Sequence, residues 1–153
     1  MPSRQIALVR HTFDRVAMAS GVAALVFYRN LFTLAPSLLP LFGTDILSQA
    51  GKLMETVRLI VDGLDEPQSL IPMLEQLGAL YSSHGVSDAQ YETAGRAWIL
   101  MLSQTLGDEL SDEAMGAWES TWKWTAGIML NGARAAAGNT GSPIPQTGSG
   151  AGR

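Results

Sequence analysis

A chain of 153 residues fits one domain and can bury a substantial core. Its 46% hydrophobic and 16% charged residues are globular proportions, and a net charge of -4 gives no electrostatic footprint for nucleic acid or an anionic membrane. The absence of cysteine excludes disulfides, thiol nucleophiles and thiolate ligands to any metal or prosthetic group.

The opening Met1-Pro2-Ser3-Arg4-Gln5 begins no signal peptide, because no apolar run with a small-residue cleavage site follows. The apolar run 16–28, between Arg15 and Arg29, is too short to span a bilayer. A soluble, cytoplasmic protein is the expectation. Ser3 is placed to cap a first helix in which Ile6, Val9, Phe13 and Val16 recur at helical spacing. Ser20 is placed to cap a second, with Leu25, Tyr28 and Leu31/Phe32 on one side. Pro36, Pro40, Phe42 and Gly43 mark a corner after it.

Asp45 reads as the cap of a long helix to about Asp62, with Ile46, Gln49, Leu53, Val57 and Ile60 as its inner face. Gly63, Asp65 and Pro67 break that helix. Leu70, Met73, Leu77 and Tyr81 form the stripe of the next one, which Gly85 stops. Ser87-Asp88-Ala89-Gln90 has the form of a capping box and opens a helix carrying Tyr91, Ala94, Trp98 and Met101/Leu102. Gly107 ends it. Ser111, with Asp112 and Glu113 in the first turn, opens the last helix, whose stripe is Met115, Trp118, Trp122, Ala126 and Met129. The Gly/Ser/Pro-rich residues 138–153 are too polar and flexible to offset their ordering entropy and read as a disordered tail. The expectation is one all-α domain, 1–137, of about six or seven helices.

Three stretches in order resemble a bacterial single-domain globin, close to the haem domain of flavohaemoglobins and to neuroglobin-like globins. They are Phe27-Tyr28-Arg29-Asn30-Leu31-Phe32 with the following Pro36 and Pro40-Leu41-Phe42, then Gln49-Ala50-Gly51-Lys52-Leu53-Met54, then Leu77-Gly78, Gly85-Val86, Tyr91, Gly95 and Ala117-Trp118. The resemblance implies the three-over-three globin fold and a haem b cofactor. It places Phe42 on the haem face, Tyr28 and Gln49 as polar groups beside a bound ligand, and Leu53 as the apolar wall. Leu77, Val86 and Tyr91 fall among the cofactor-contacting positions, and Lys52 near a haem propionate, where a plain surface lysine is the competing reading.

The departure from the family is on the iron-binding side. The family's proximal histidine stands four residues before the Gly-Val that ends its helix, and here that position is Tyr81; the nearest histidine is His84. The family's last-helix glutamate is replaced near Ala133. Tyr81 as a phenolate iron ligand, His84 as the ligand after a shift of the helix, and Tyr81 as a core aromatic in a haem-free fold are the three readings. The resemblance implies oxygen or nitric oxide as diatomic ligands; a tyrosine ligand turns the expectation toward ferric redox, peroxide or sensing chemistry. No reductase-like segment follows the globin-like region within these 153 residues, so an external reductase is the expected partner. The alternative function is a haem-free sensor or protein-interaction domain, and a third is the binding of another apolar ligand in the same pocket. Trp118, Trp122 and Trp124 read as packing, and the carboxylates at 108, 109, 112 and 113 as helix-end and surface charges.

Overall fold

Helix boundaries in this protein follow local chemistry. The structure, a computed structural model, describes residues 1–42 and 45–141; the side chains of Ser20, Phe42 and 139–141 lie outside that description. Within it are six α-helices: α1 (Ser3–Ala17), α2 (Ser20–Leu34), α3 (Ile46–Asp62), α4 (Pro67–Ser83), α5 (Asp88–Leu106) and α6 (Asp112–Gly141). Short 3-10 helices occupy Pro36–Phe42 and Gly107–Glu109, and no strand occurs among the described residues.

Three of the expected caps are present. The Asp45 carboxylate accepts from the Ser48 N–H (3.1 Å), the Ser87/Gln90 capping box is complete, and the Ser111 hydroxyl accepts from the Ala114 N–H (3.0 Å). Two are not. Ser3 and Ser20 are the first helical residues rather than caps, and neither helix has a side-chain cap. At the other end of α3, the Arg10 guanidinium donates to the Val61 and Asp62 carbonyls (3.2 and 3.0 Å), satisfying acceptors that a helix end leaves open. The last helix runs to Gly141, past the boundary expected at 137. Gly43 and residues 142–153, most of the expected tail, lie outside the described residues.

The α1 stripe of Ile6, Val9, Phe13 and Val16 is buried as its spacing predicts. On α2 the buried face is Ala23, Ala24, Phe27, Tyr28 and Leu31, while Leu25 is 42% exposed and does not share it. The reason is angular: Leu25 lies two and three residues from Phe27 and Tyr28, which turns it by most of a half-circle from the first. On α3 two faces are used. Ala50, Met54 and Val61 are buried in the core, and the half-buried Leu53, Val57 and Ile60 form a second row beside them.

Helix α4 packs along α6, α2 packs on α5 and α3, and α1 touches both α3 and α6. The helices α1, α3 and α4 thus lie over α2, α5 and α6, the three-over-three arrangement. Backbones approach closely where α4 crosses α6. A Cβ on Gly78 would stand 1.8 Å from the Met129 carbonyl oxygen, and one on Gly132 would stand 2.1 Å from that of Glu75. Only glycine fits either place. Elsewhere side chains make the contacts: the Trp118 indole donates to Thr12 across the layers (2.7 Å), and the Asn30 amide donates to the Gln104 side chain within one layer (3.0 Å). At the surface, Arg4 pairs with Glu113 and Arg15 with Glu109. No single helix among the described residues is long and apolar enough to cross a membrane.

Candidate functional site

A cavity lies where the two layers part. Helix α2 contributes Phe27, Tyr28 and Leu31, and α3 contributes Leu53, Thr56, Val57 and Ile60. Facing them are Leu74, Leu77 and Tyr81 of α4, Tyr91, Ala94 and Trp98 of α5, and Trp118, Thr121, Trp122, Thr125 and Met129 of α6. The walls leave about 170 Å³ in which the centre of a water molecule could sit. A single water needs roughly 10–15 Å³ on that measure, so the cavity is built for something larger.

Tyr81 reaches this cavity through the way α4 ends. Gly85 has a φ of +92°, the left-handed conformation that glycine adopts without a Cβ penalty. Its N–H donates to the Ser82 carbonyl (3.0 Å), and the Val86 N–H donates back to the Tyr81 carbonyl (3.0 Å). These two bonds are the Schellman motif, with Tyr81 at the third position from the helix end and Val86 two residues past the cap. Both residues line the cavity. His84 is the C-cap itself; it is exposed and stands outside the cavity lining.

All three tyrosines of the chain, Tyr28, Tyr81 and Tyr91, line the cavity. Burial pushes each phenol above its ordinary value, Tyr91 to about 12, and proximity to Tyr81 adds to the rise at Tyr28 and Tyr91. All three phenols are therefore neutral at physiological pH. Tyr28 and Tyr91 are buried, whereas Tyr81 is 36% exposed and sits at the rim. The Tyr28 hydroxyl donates to the main-chain carbonyl of Gln49 (3.2 Å).

Of the residues expected at the site, Tyr28, Leu53, Leu77, Tyr81, Val86 and Tyr91 come together around the cavity. Gln49 meets it only indirectly, through its carbonyl, and is not among the lining residues. Lys52 is exposed on α3, away from the lining. The side chain of Phe42 lies outside the described residues. Sequence reasoning left Trp98, Thr121 and Thr125 without a role at the site and treated Trp118 and Trp122 as packing. Trp118 and Trp122 do pack, through indole N–H bonds to Thr12 (2.7 Å) and the Tyr91 carbonyl (3.0 Å), and they also form the cavity wall. The signal for the threonines was present: Thr121 and Thr125 are four apart, polar residues on an otherwise apolar face.

Haem, implied by the resemblance, can be tested against these residues. Among the described residues, three buried side-chain polar atoms have no hydrogen-bond partner: the Tyr91 hydroxyl, the Trp98 indole nitrogen and the Thr125 hydroxyl. Buried polar atoms are nearly always partnered, and here all three exceptions belong to residues that line this one cavity. Apolar, aromatic walls with a few polar groups suit a flat, mostly apolar cofactor. The iron-binding group on offer is an oxygen: no histidine lines the cavity, and no cluster of three or more His, Asp or Glu among the described residues could hold a metal ion. The residue set fits haem.

Comparison with known proteins agrees with this geometry. The Globin family profile matches residues 25–129. A flavohemoprotein of Halalkalibacterium halodurans is 22% identical over 107 residues, covering 68% of this chain and 26% of that protein. A flavohemoprotein of Rhizobium meliloti is 26% identical over 106 residues, again covering 26% of that protein. The chain thus spans about a quarter of the length of these flavohemoproteins. It spans nearly all of a neuroglobin from Danio rerio, which is 23% identical over 139 residues, 82% of this chain and 87% of that protein. With the family profile covering well over half of its residues, the chain belongs to the globin family.

Proposed function

We propose that this globin binds haem b with Tyr81 as the proximal iron ligand, and that it handles diatomic ligands or oxidised-haem chemistry with electrons supplied from outside. The observation that carries the reading is the end of α4, where the Schellman turn sets Tyr81 on the cavity and leaves His84 at the exposed cap. The α4–α6 crossing supports the same choice. Sliding α4 to bring His84 inward would move a side-chain-bearing residue into the place of Gly78, against the Met129 carbonyl. The absence of cysteine excludes thioether attachment of the haem, in keeping with haem b.

Bound haem iron supplies redox and ligand-binding chemistry. The protein's part falls to its own residues. The rows Leu53, Val57, Ile60 and Leu74, Leu77 would exclude water and hold the macrocycle by burial. Tyr81 is neutral until a metal competes for its oxygen; its proton then leaves to solvent, for which its position at the rim is suited. A phenolate is a hard, anionic donor and favours the oxidised metal, so redox, peroxide or nitric oxide chemistry or sensing suits it better than reversible oxygen storage. Lys52, exposed on α3, is assigned to a propionate at the cavity edge. The name flavohemoprotein joins flavin to haem, and a flavin-bearing reductase is the electron donor the reading calls for.

An absorption spectrum of protein produced with haem supplied tests the proposal. The expected result is a Soret band at one haem per chain, in a ferric state with a phenolate-to-iron charge-transfer band. Tyr81→Phe should abolish that band, Tyr81→His should move the spectrum toward an ordinary globin, and His84→Ala should leave it unchanged. Loss of the spectrum in His84→Ala with Tyr81→Phe intact would reverse the ligand assignment. Failure to retain haem after reconstitution would leave the haem-free interaction domain as the function.

A further inference from the structure

We infer that the indole N–H of Trp98 is the hydrogen-bond donor that recognises a small anionic or oxygen-centred ligand within the cavity. The inference rests on the haem-binding reading and goes beyond it by naming the group that selects the ligand.

Three tryptophans line the cavity, and they differ in one respect. Trp118 and Trp122 spend their N–H bonds on the protein, on Thr12 and on the Tyr91 carbonyl, whereas the Trp98 N–H has no acceptor among the described residues. Trp98 is 6% exposed, so water at the surface does not satisfy it. Its ring is fixed by neighbours on two sides, Phe27 at 5.8 Å and Trp118 at 5.5 Å between centroids. An indole offers one donor, no acceptor and no rotor that could redirect the hydrogen. A donor held this firmly and left unpaired is set for a guest.

Of the groups that the family resemblance assigns to ligand recognition, one is bonded to the main chain and the other lies outside the lining. The Tyr28 hydroxyl donates to the Gln49 carbonyl (3.2 Å), and the Gln49 side chain is not part of the lining. Trp98 stands on α5 and packs against Phe27 of α2 (5.8 Å between ring centroids), whose ring is 5.3 Å from that of Tyr28, so it offers a donor near the one that Tyr28 has committed. The two other unpartnered groups, the Tyr91 and Thr125 hydroxyls, rotate and both donate and accept, so they discriminate poorly between guests. A donor-only indole instead favours guests that accept: fluoride, azide or a polarised dioxygen-type ligand, over carbon monoxide, which accepts weakly.

Fluoride titration of the ferric holoprotein tests this, with haem content measured first. Trp98→Phe keeps an aromatic ring in the same wall and removes only the donor. Fluoride binding should weaken about ten-fold or more, the scale of a hydrogen bond to a charged group. Carbon monoxide binding to the reduced protein should change less than about three-fold, well short of that hydrogen-bond scale. In the wild type, independent of any variant's folding, the iron–fluoride Raman stretch should shift between H2O and D2O. Full haem content with unchanged fluoride affinity in Trp98→Phe, or an isotope-insensitive stretch in the wild type, would overturn the assignment and leave the haem reading standing. Equal losses for fluoride and carbon monoxide would mark Trp98 as packing and overturn it too. A wild-type protein that takes up no haem would overturn both.

Discussion

The two walls of the cavity are built differently. On the α4–α6 side, backbones meet: Gly78 lies against the Met129 carbonyl and Gly132 against that of Glu75, with no side chain between. On the α2–α3 side, contact runs through side chains, with half-buried Leu53, Val57 and Ile60 and the bond from Tyr28 to the Gln49 carbonyl. Backbone-to-backbone packing has one register, whereas side-chain packing can repack across several rotamers. The wall that carries Tyr81 is therefore fixed and the facing wall is the adjustable one. The proposed function uses this division, since it asks Tyr81 to be held in place while the opposite wall accommodates what enters.

Adding one methyl group to each wall breaks the comparison most directly. Gly78→Ala sets a Cβ against a main-chain oxygen that cannot rotate away, and should cost roughly 3 kcal/mol, the upper end for overpacking, read as a fall in the denaturation midpoint. If Gly78→Ala is neutral, the fixed-wall account fails. A smaller loss should appear in alkali. Burial raises the folded pKa of Tyr91 to about 12 from an ordinary 10, and Tyr28 and Tyr81 shift the same way. Below pH 10 both folded and unfolded phenols are protonated and the full stability is present. Above it the unfolded chain ionises first, and stability falls until the folded phenols titrate. For Tyr91 alone the loss by pH 12 is on the order of 2 kcal/mol. Urea denaturation at pH 9 and pH 12 measures it, and Tyr91→Phe should reduce the difference.

The α3 wall answers to more modest forces. Asp45→Ala removes the cap of that helix and should cost about 1 kcal/mol. Gly51→Ala, in the middle of α3 with nothing within 4 Å of the added Cβ, should instead stabilise by about 0.5–1 kcal/mol through helix propensity. Opposite signs for Gly51→Ala and Gly78→Ala in the same melting experiment would sharpen the contrast between the walls; equal signs would remove it.

Much of this protein is legible in its sequence, because helix starts and stops are local events. Asp45, the Ser87/Gln90 pair and Ser111 act on backbone groups within three residues of themselves, and Gly85 and Gly107 take positive φ where the helices end. The resemblance, counted back from Gly85, pointed to Tyr81, and the Schellman turn does tie that glycine to residues a fixed distance behind it. The stripes of α1 and α5 were equally readable from their spacing.

What only the tertiary structure decided depends on pairs of residues far apart in the chain. Leu25 lost its expected inner position because α2 is covered by α3 and α5 on a face that propensity does not name. The glycines at 78 and 132 carry no special φ, and their need is set by carbonyls some fifty residues away. The same holds for the tryptophans. Identical side chains at 98, 118 and 122 read alike along the chain, and only the folded neighbours determine which N–H is spent and which is left for a guest. Periodicity specifies which side of a helix faces inward; the acceptors that wait there come from other helices, and no local rule supplies them.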